Sequence, residues 1–269
     1  MPLMYGLGPD GKPTEFITTT MGQIATIDYG EAVAKGIIDG VFGGYKFGKD
    51  PSANTSQSTI WPGTGNYPFP LIAQTLSIAS TSANDTAAGT GARTAVVSYI
   101  DGDNNRVTSE EITLNGQTPV EITGEDGRVV RRVRVATAGS GKTNDGTLYV
   151  GYGTFTSGVP DNVLGIALPG DAKTLQAIEV VPAGFKMEMH SLFYSVGEGK
   201  SVELSLYVRP PGGVFELEGV WSVFEDTDTI PFYPPRTFFA GSDIDLRAQT
   251  AVSTTLIAGG FQSIFEPVS

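Results

Sequence analysis

Residues 202–209, VELSLYVR, decide how the rest of the chain is read. Val202, Leu204, Leu206 and Val208 alternate with Glu203, Ser205, Tyr207 and Arg209. Successive side chains of a strand point to opposite faces, so this run is a strand with one apolar and one polar face. The period recurs at 243–248, where Ile244, Leu246 and Ala248 alternate with Asp243, Asp245 and Arg247. At 129–135, Val129, Val133 and Val135 share one side with Arg131 among them, while Arg132 and Arg134 project from the other. Turn signals separate such runs: DGDNN at 101–105, Asp126 with Gly127, NDG at 144–146, GEG at 197–199, and Gly212 with Gly213. About a dozen strands are implied, enough for two facing sheets. The expected fold is all-β: a β-sandwich of jelly-roll type over residues 59–269, with an extended N-terminal arm.

Composition supports this class. The chain has 269 residues with 35 Gly and 17 Pro, and charged residues make up only 17%, a balance of many turns and little charged helical surface. No period of fixed length repeats, which argues against a solenoid or propeller. The formal net charge of −12 opposes binding to nucleic acid or to an anionic membrane, both of which need a basic footprint. There is no cysteine, so disulfides, thiolate metal sites and cysteine nucleophiles are excluded. Residues 1–20 lack the basic start and apolar core of a signal peptide, and synthesis in a cytoplasm is expected. No run is long enough to cross a bilayer as a helix.

The first 58 residues read differently from the remainder. Gly6, Gly8, Pro9, Gly11 and Pro13 break the opening segment into an extended arm. EAVAKGIIDGVF at 31–42 puts Val33, Ile37 and Val41 on one helical face, although Gly36 and Gly40 each cost about 1 kcal/mol relative to alanine. Residues 46–58 read as a solvated linker. Trp61, Pro62, Tyr67, Pro68, Phe69 and Pro70 then lead into the main domain, where such a cluster is expected to plug one end of a core. Residues 157–173, TSGVPDNVLGIALPGDAK from 156, read as loop around one short apolar run and mark a possible seam between two β lobes.

Three stretches are distinctive in wording: IWPGTGNYPFP at 60–70, AQTLSIASTSANDTAAGTGART at 73–94 and LYVRPPGG at 206–213. The middle one joins two strand-like runs through about a dozen small polar residues, an ordered surface loop. Together these stretches resemble a group of tailed-phage virion structural proteins, and the resemblance runs from about residue 60 to the C-terminus. It implies a β-rich, non-enzymatic protein carried on the particle, of the head decoration or cement kind. It transfers no functional residue.

The chemical motifs are weak. ATAGSGKT at 136–143 meets a relaxed phosphate-loop pattern, but Asn144, Asp145, Gly146 and the strand-like LYVGYG follow where a helix is needed, so a glycine-rich hairpin loop is expected. Asp101, Asp103 and Asn105 copy the first calcium-loop ligands. Arg106 stands where the loop needs glycine and Ile112 where it needs glutamate, so a tight turn is expected. Asp226 with Asp228, and Asp243 with Asp245, are pairs of acids expected to be solvated on exposed strands. His190 is the single histidine; on a regular strand Glu188 points the same way, but no nucleophile elbow accompanies them. Arg128, Arg131, Arg132 and Arg134 form the one basic cluster, split by alternation across two faces, and are expected either to be solvated or to meet an acidic partner. No catalytic, cofactor-binding or metal-binding residue is therefore assigned, and no enzyme activity is expected.

The reading at this point is a virion protein on the capsid surface that binds the major capsid protein and stabilises the shell, associating as a homo-oligomer, with a trimer favoured. A receptor- or glycan-binding tail or fibre component is the alternative.

Overall fold

The computed structural model describes residues 5–7, 13–15, 29–102, 105–251 and 254–268. Two compact units are present, Met1–Gly43 and Gly44–Ser269. In the first, β1 (Tyr5–Leu7) pairs antiparallel with β2 (Pro13–Glu15), and α1 covers Tyr29–Ala34. The helical face expected to reach Ile37 and Val41 is cut short. Gly36 takes a φ of 65°, its N–H donates to Val33 O, and the Ile37 N–H donates to Ala32 O. Those paired bonds are a Schellman cap, and glycine enters that left-handed conformation without a Cβ penalty. Ile37 is left exposed. The expected arm falls mostly on residues 1–4, 8–12 and 16–28, outside the described residues.

The second unit opens within β3 (Phe42–Ala53), from Gly44 on, and continues to β4 (Ser58–Thr59). This corrects two expectations. Residues 46–58 are not a solvated linker, since Lys46, Asp50, Ala53, Ser58 and Thr59 are buried, and the compact body starts at Gly44 rather than at 59. The sequence was misleading here because Gly44, Gly48, Pro51 and the polar tail hide the strand, and Gly48 is required by contact. A Cβ there would fall 2.1 Å from Ile60 O.

Seven strands follow in a first lobe: β5 (Ser77–Ser80), β6 (Ala92–Asp101), β7 (Val107–Thr113), β8 (Val120–Glu121), β9 (Gly127–Ala138), β10 (Leu148–Thr156) and β11 (Val159–Ala167). They form antiparallel sheets of order β11-β10-β5-β8 and β7-β6-β9 around Ile78, Val97, Tyr99, Val130, Leu148 and Leu164. The supposed loop at 157–173 is largely β11. A tight turn at Ser157 and Gly158, both with positive φ, folds it back on β10. The crossing between lobes lies further on, at residues 168–177.

The remaining strands complete a second lobe: β12 (Ile178–Val180), β13 (Phe185–Val196), β14 (Ser201–Arg209), β15 (Glu216–Phe224), β16 (Thr227–Phe238), β17 (Asp243–Thr250) and β18 (Thr255–Pro267). Its sheets run β16-β13-β18-β3 and β12-β17-β14-β15, with β4 on β17. Numbering the eight main strands of this lobe along the chain gives orders 6-3-8-1 and 2-7-4-5. That interleaving is a jelly roll, the form the period-two pattern predicts. The core between the sheets holds Met187, Leu192, Leu204, Leu246, Phe261 and Phe265. Val202, Leu204, Leu206 and Val208 all point into it, each worth about 1.5–3 kcal/mol when fully buried.

The first lobe is thus inserted between the first two strands of the jelly roll. Ile60 belongs to the second core and Trp61 to the first. Where the chain returns, the Ala177 N–H donates to Ile60 O at 3.0 Å.

Candidate functional site

Polar side chains of unusual burial gather between the lobes. β17 sends Ile244, Leu246 and Ala248 into the second core, as its alternation predicts. Its other face does not meet solvent. Asp243, Asp245 and Arg247 are 3%, 0% and 9% exposed, which corrects the expectation of solvated acids. Asp243 takes Arg128 Nη2 on one oxygen at 2.8 Å and Arg209 Nε on the other at 2.7 Å. Asp245 accepts Thr59 Oγ1 at 2.8 Å and Arg247 Nε at 2.7 Å. Burial pushes the Asp245 carboxyl upward against the pull of Arg247 and Thr59.

Glu179 on β12 is the second centre. Arg131 grips it with two bonds of 2.6 Å, and Lys46 Nζ stands 3.3 Å away. Burial acts to raise the Glu179 pKa, but the charges of Arg131 and Lys46 overcome it and hold it at about 2. The same burial lowers Lys46 to about 8, with Glu179 opposing the drop and Arg131 adding to it. Arg131 reaches this position through a β-bulge. The register of β6 on β9 passes from Ser98–Arg132 to Tyr99–Val130, leaving Arg131 unpaired and re-aimed. So Arg131 does not share the apolar side of its strand. Arg128 and Arg131 are neither solvated nor offered to an acidic partner, and only Arg132 and Arg134 of the cluster are exposed.

The aromatic lead-in occupies the same junction. Trp61, Tyr67 and Phe69 are buried and pack edge to face at 5.2 and 4.8 Å, and Phe69 continues to Phe215 at 5.2 Å. Arg209 lies over Phe215 at 4.8 Å and donates to Phe69 O. Two of the three distinctive stretches, 60–70 and 206–213, therefore meet in space. The third, 73–94, is organised by Asp85, which is fully buried. Its Oδ1 accepts the Ala92 and Asp145 amides, and its Oδ2 accepts Ser80 Oγ and the Gly146 amide. Sequence reading missed Asp85 and Glu179, because a lone acid carries no signal of the donors that distant loops bring to it.

The other candidates stay apart. The Gly139 and Gly141 amides of ATAGSGKT donate to Gly91 O and Thr90 O, and β10 follows, so the segment is a loop between strands. Asp101 Oδ1 accepts the Arg106 amide and Asn105 has a φ of 49°, a turn as expected, while Asp103 lies outside the described residues. Asp101 also lines a cleft of about 870 Å³ with Arg106, Glu125 and Asp126. Among the described residues no three metal-ligating side chains converge. Asp226 and Asp228 each bond the next amide, at Thr227 and Thr229. His190 is the unpaired residue of a bulge in β13, which removes its expected alignment with Glu188. Glu188 instead accepts Lys186 Nζ at 3.0 Å, and His190 Nε2 is enclosed without a hydrogen-bond partner.

A different grouping appears on the outer face of the β16-β13-β18-β3 sheet. Phe193 stacks on Tyr45 at 4.8 Å with ring planes 6° apart, and on Phe47 at 6.3 Å and 8°. The row crosses Gly260 of β18, where a Cβ would fall 1.8 Å from Lys46 O and 2.7 Å from Phe193 Cζ.

No family model matches the chain, and no curated protein matches it in sequence. Among solved structures it is similar to that of infectious bursal disease virus, Gx strain, at 11% identity and a TM-score of 0.22, covering 84% of this chain and 72% of that one. It is similar to T=1 particles derived from the same virus at 10% identity and a TM-score of 0.19, covering 85% and 74%. The VP2 subviral particle of that virus aligns at 9% identity and a TM-score of 0.18, covering 85% and 77%. Superpositions this loose carry no argument about function.

Proposed function

We propose that this chain is a non-enzymatic structural protein of a tailed-phage virion, on the capsid surface, binding chiefly the major capsid protein and stabilising the shell. The observation that carries the reading is the resemblance of residues 60–70, 73–94 and 206–213 to tailed-phage virion proteins. In this fold those stretches hold the lobe junction and the Asp85 loop, which supports reading them as parts of a stiff β body. Cementing requires a broad, stiff surface that spans joints between capsid subunits, and binding free energy then adds to shell stability. The acidic charge suits a soluble protein that binds neither nucleic acid nor membrane. Synthesis is in the host cytoplasm.

Association with itself and with the shell is part of the proposal, with a trimer favoured. Leu217, Val220 and Phe224 on β15 are 52%, 44% and 57% exposed, apolar area of the kind that marks contact surfaces. Purified protein is expected to scatter light as a trimer, and a stable monomer at micromolar concentration rejects self-association. Added to particles lacking it, the protein is expected at regular positions on the head lattice and to raise heat resistance. Labelling confined to the tail, or binding to host cells without affinity for capsids, decides for the alternative of a receptor- or glycan-binding tail component. One observation favours that second reading, the stacked row of Tyr45, Phe193 and Phe47.

A further inference from the structure

We infer that the hollow beside the Tyr45–Phe193–Phe47 row is a binding site for a neutral hexopyranose ring of a glycan. It measures about 300 Å³, at the small end of ligand sites. Its existence follows from small residues. Ala258 pairs with Ser195 and Gly260 with Phe193 where β18 runs between β13 and β3, so no large side chain of β18 fills the space above the sheet. A sheet face with the usual long polar side chains at those positions would have no hollow.

The walls have two chemistries. On one side Tyr45 is 54% exposed and is stacked on Phe193 through one face of its ring. An aromatic face is electron-rich, and the C–H bonds of a pyranose present a weakly positive flat surface that matches it. On the other side stand Thr229, paired with Phe193 across β13 and β16, and Thr227, whose hydroxyl donates to Ser195 Oγ at 2.9 Å. Asp228 is exposed and lines the hollow at the edge strand β16, its Oδ1 accepting the Thr229 amide. Hydroxyls that both donate and accept, beside one carboxylate acceptor, suit vicinal sugar hydroxyls. An anionic sugar is disfavoured by Asp228, by neighbouring Asp226 and by the net charge of −12. A quaternary ammonium group would fit a box of crossed rings, and here the rings are parallel within 8°.

The site belongs to the free protein and is independent of where on a particle it sits, so it stands or falls separately from capsid binding. Isotope-labelled full-length protein titrated with the methyl glycosides of glucose, galactose, mannose and N-acetylglucosamine tests it. Single rings bind weakly, so concentrations on the order of tens of millimolar are needed. Saturable amide shifts are expected at Tyr45, Phe193, Asp228 and Thr229 with at least one of the four. Tyr45→Ala is expected to abolish them, and Asp228→Asn to weaken binding roughly tenfold, each without changing Tm. Choline is the control ligand. Shifts with choline and none with the glycosides overturn the inference. So does the absence of saturable shifts with all four sugars, or sugar shifts that survive Tyr45→Ala.

Discussion

The jelly roll has two sheets, and each turns one face away from the core they share. The outward face of the β12-β17-β14-β15 sheet carries Asp243, Asp245 and Arg247, and these are buried and paired inside the molecule. The outward face of the β16-β13-β18-β3 sheet carries Tyr45, Phe47 and Phe193, and Tyr45 is largely open to water. Charge is inside and aromatic surface outside. The inserted first lobe accounts for the first half of this inversion, since it covers one face and leaves the other. Taking charges out of water is costly unless each is matched, and here two arginines on Asp243 and Arg247 on Asp245 supply the match, as bidentate Arg131 does for Glu179 on the core side of β12. The open face has no such constraint, which leaves its composition available for recognition.

The sharpest way to break this contrast is Glu179→Gln, which leaves Arg131 and Lys46 buried without a counter-charge. A loss of about 3–5 kcal/mol in urea unfolding is expected. The effect carries a pH signature. Glu179 is held at about 2, below its ordinary 4.5, so its contribution is full above 4.5 and disappears as pH falls toward 2. The gap between wild type and Glu179→Gln is expected to close over that window, and a gap that stays constant contradicts the ion-pair account.

On the open face the largest effect is expected from Gly260→Ala, where the new Cβ meets the Lys46 carbonyl as well as Phe193. Overpacking of this kind costs roughly 1–3 kcal/mol, and because the nearer atom is backbone the upper end is expected. A neutral result in thermal unfolding would show that β3 moves freely over β18.

Lys46 sharpens the comparison from the buried side. It releases its proton near pH 8 when folded and at 10.5 when unfolded. The unfolded chain therefore binds more protons between those values, and stability rises with pH there by no more than about 1.4 kcal/mol per unit. Measured against Lys46→Met, wild type is expected to gain across this window, and parallel curves refute the burial. Tyr45→Ala is the smallest change, within about 0.5 kcal/mol, because an exposed ring contributes little to folding. A much larger loss would make the aromatic row part of the fold's support instead of a surface.

Much of the jelly roll was legible because its signal is local. Val202 to Val208 alternate without a fault, and β14 sits at the centre of a sheet as that pattern requires. The alternation of Asp243, Asp245 and Arg247 was equally plain, but it shows that one face is polar and not whether that face is wet. That depends on a lobe supplied by residues more than a hundred positions earlier. The bulges at Arg131 and His190 reset the period, and nothing in RVVRRVRV or MEMHSLF announces them. β3 was hidden by its glycines, of which Gly48 is there because Ile60 O and Ala177 N come too close for any side chain, and Gly44 lies against Phe265 and Ser263. The aromatic row was invisible for a simpler reason. Tyr45 and Phe193 are far apart in sequence, and only the pairing of β3, β18 and β13 brings them together.

The hydrogen bond between Ala177 and Ile60 has an evolutionary consequence. The whole first lobe leaves and rejoins the jelly roll at a single point, so a short bridge between those residues would restore an uninterrupted eight-stranded barrel-like shell. A module attached in that way can be acquired, dropped or exchanged by one recombination event without disturbing the order of the host strands. What it cannot do is leave without a trace. Its departure would strand Asp243 and Asp245 on a newly wetted sheet and take Arg131 away from Glu179, and relatives that never received the module should carry ordinary uncharged or solvent-suited residues at those positions.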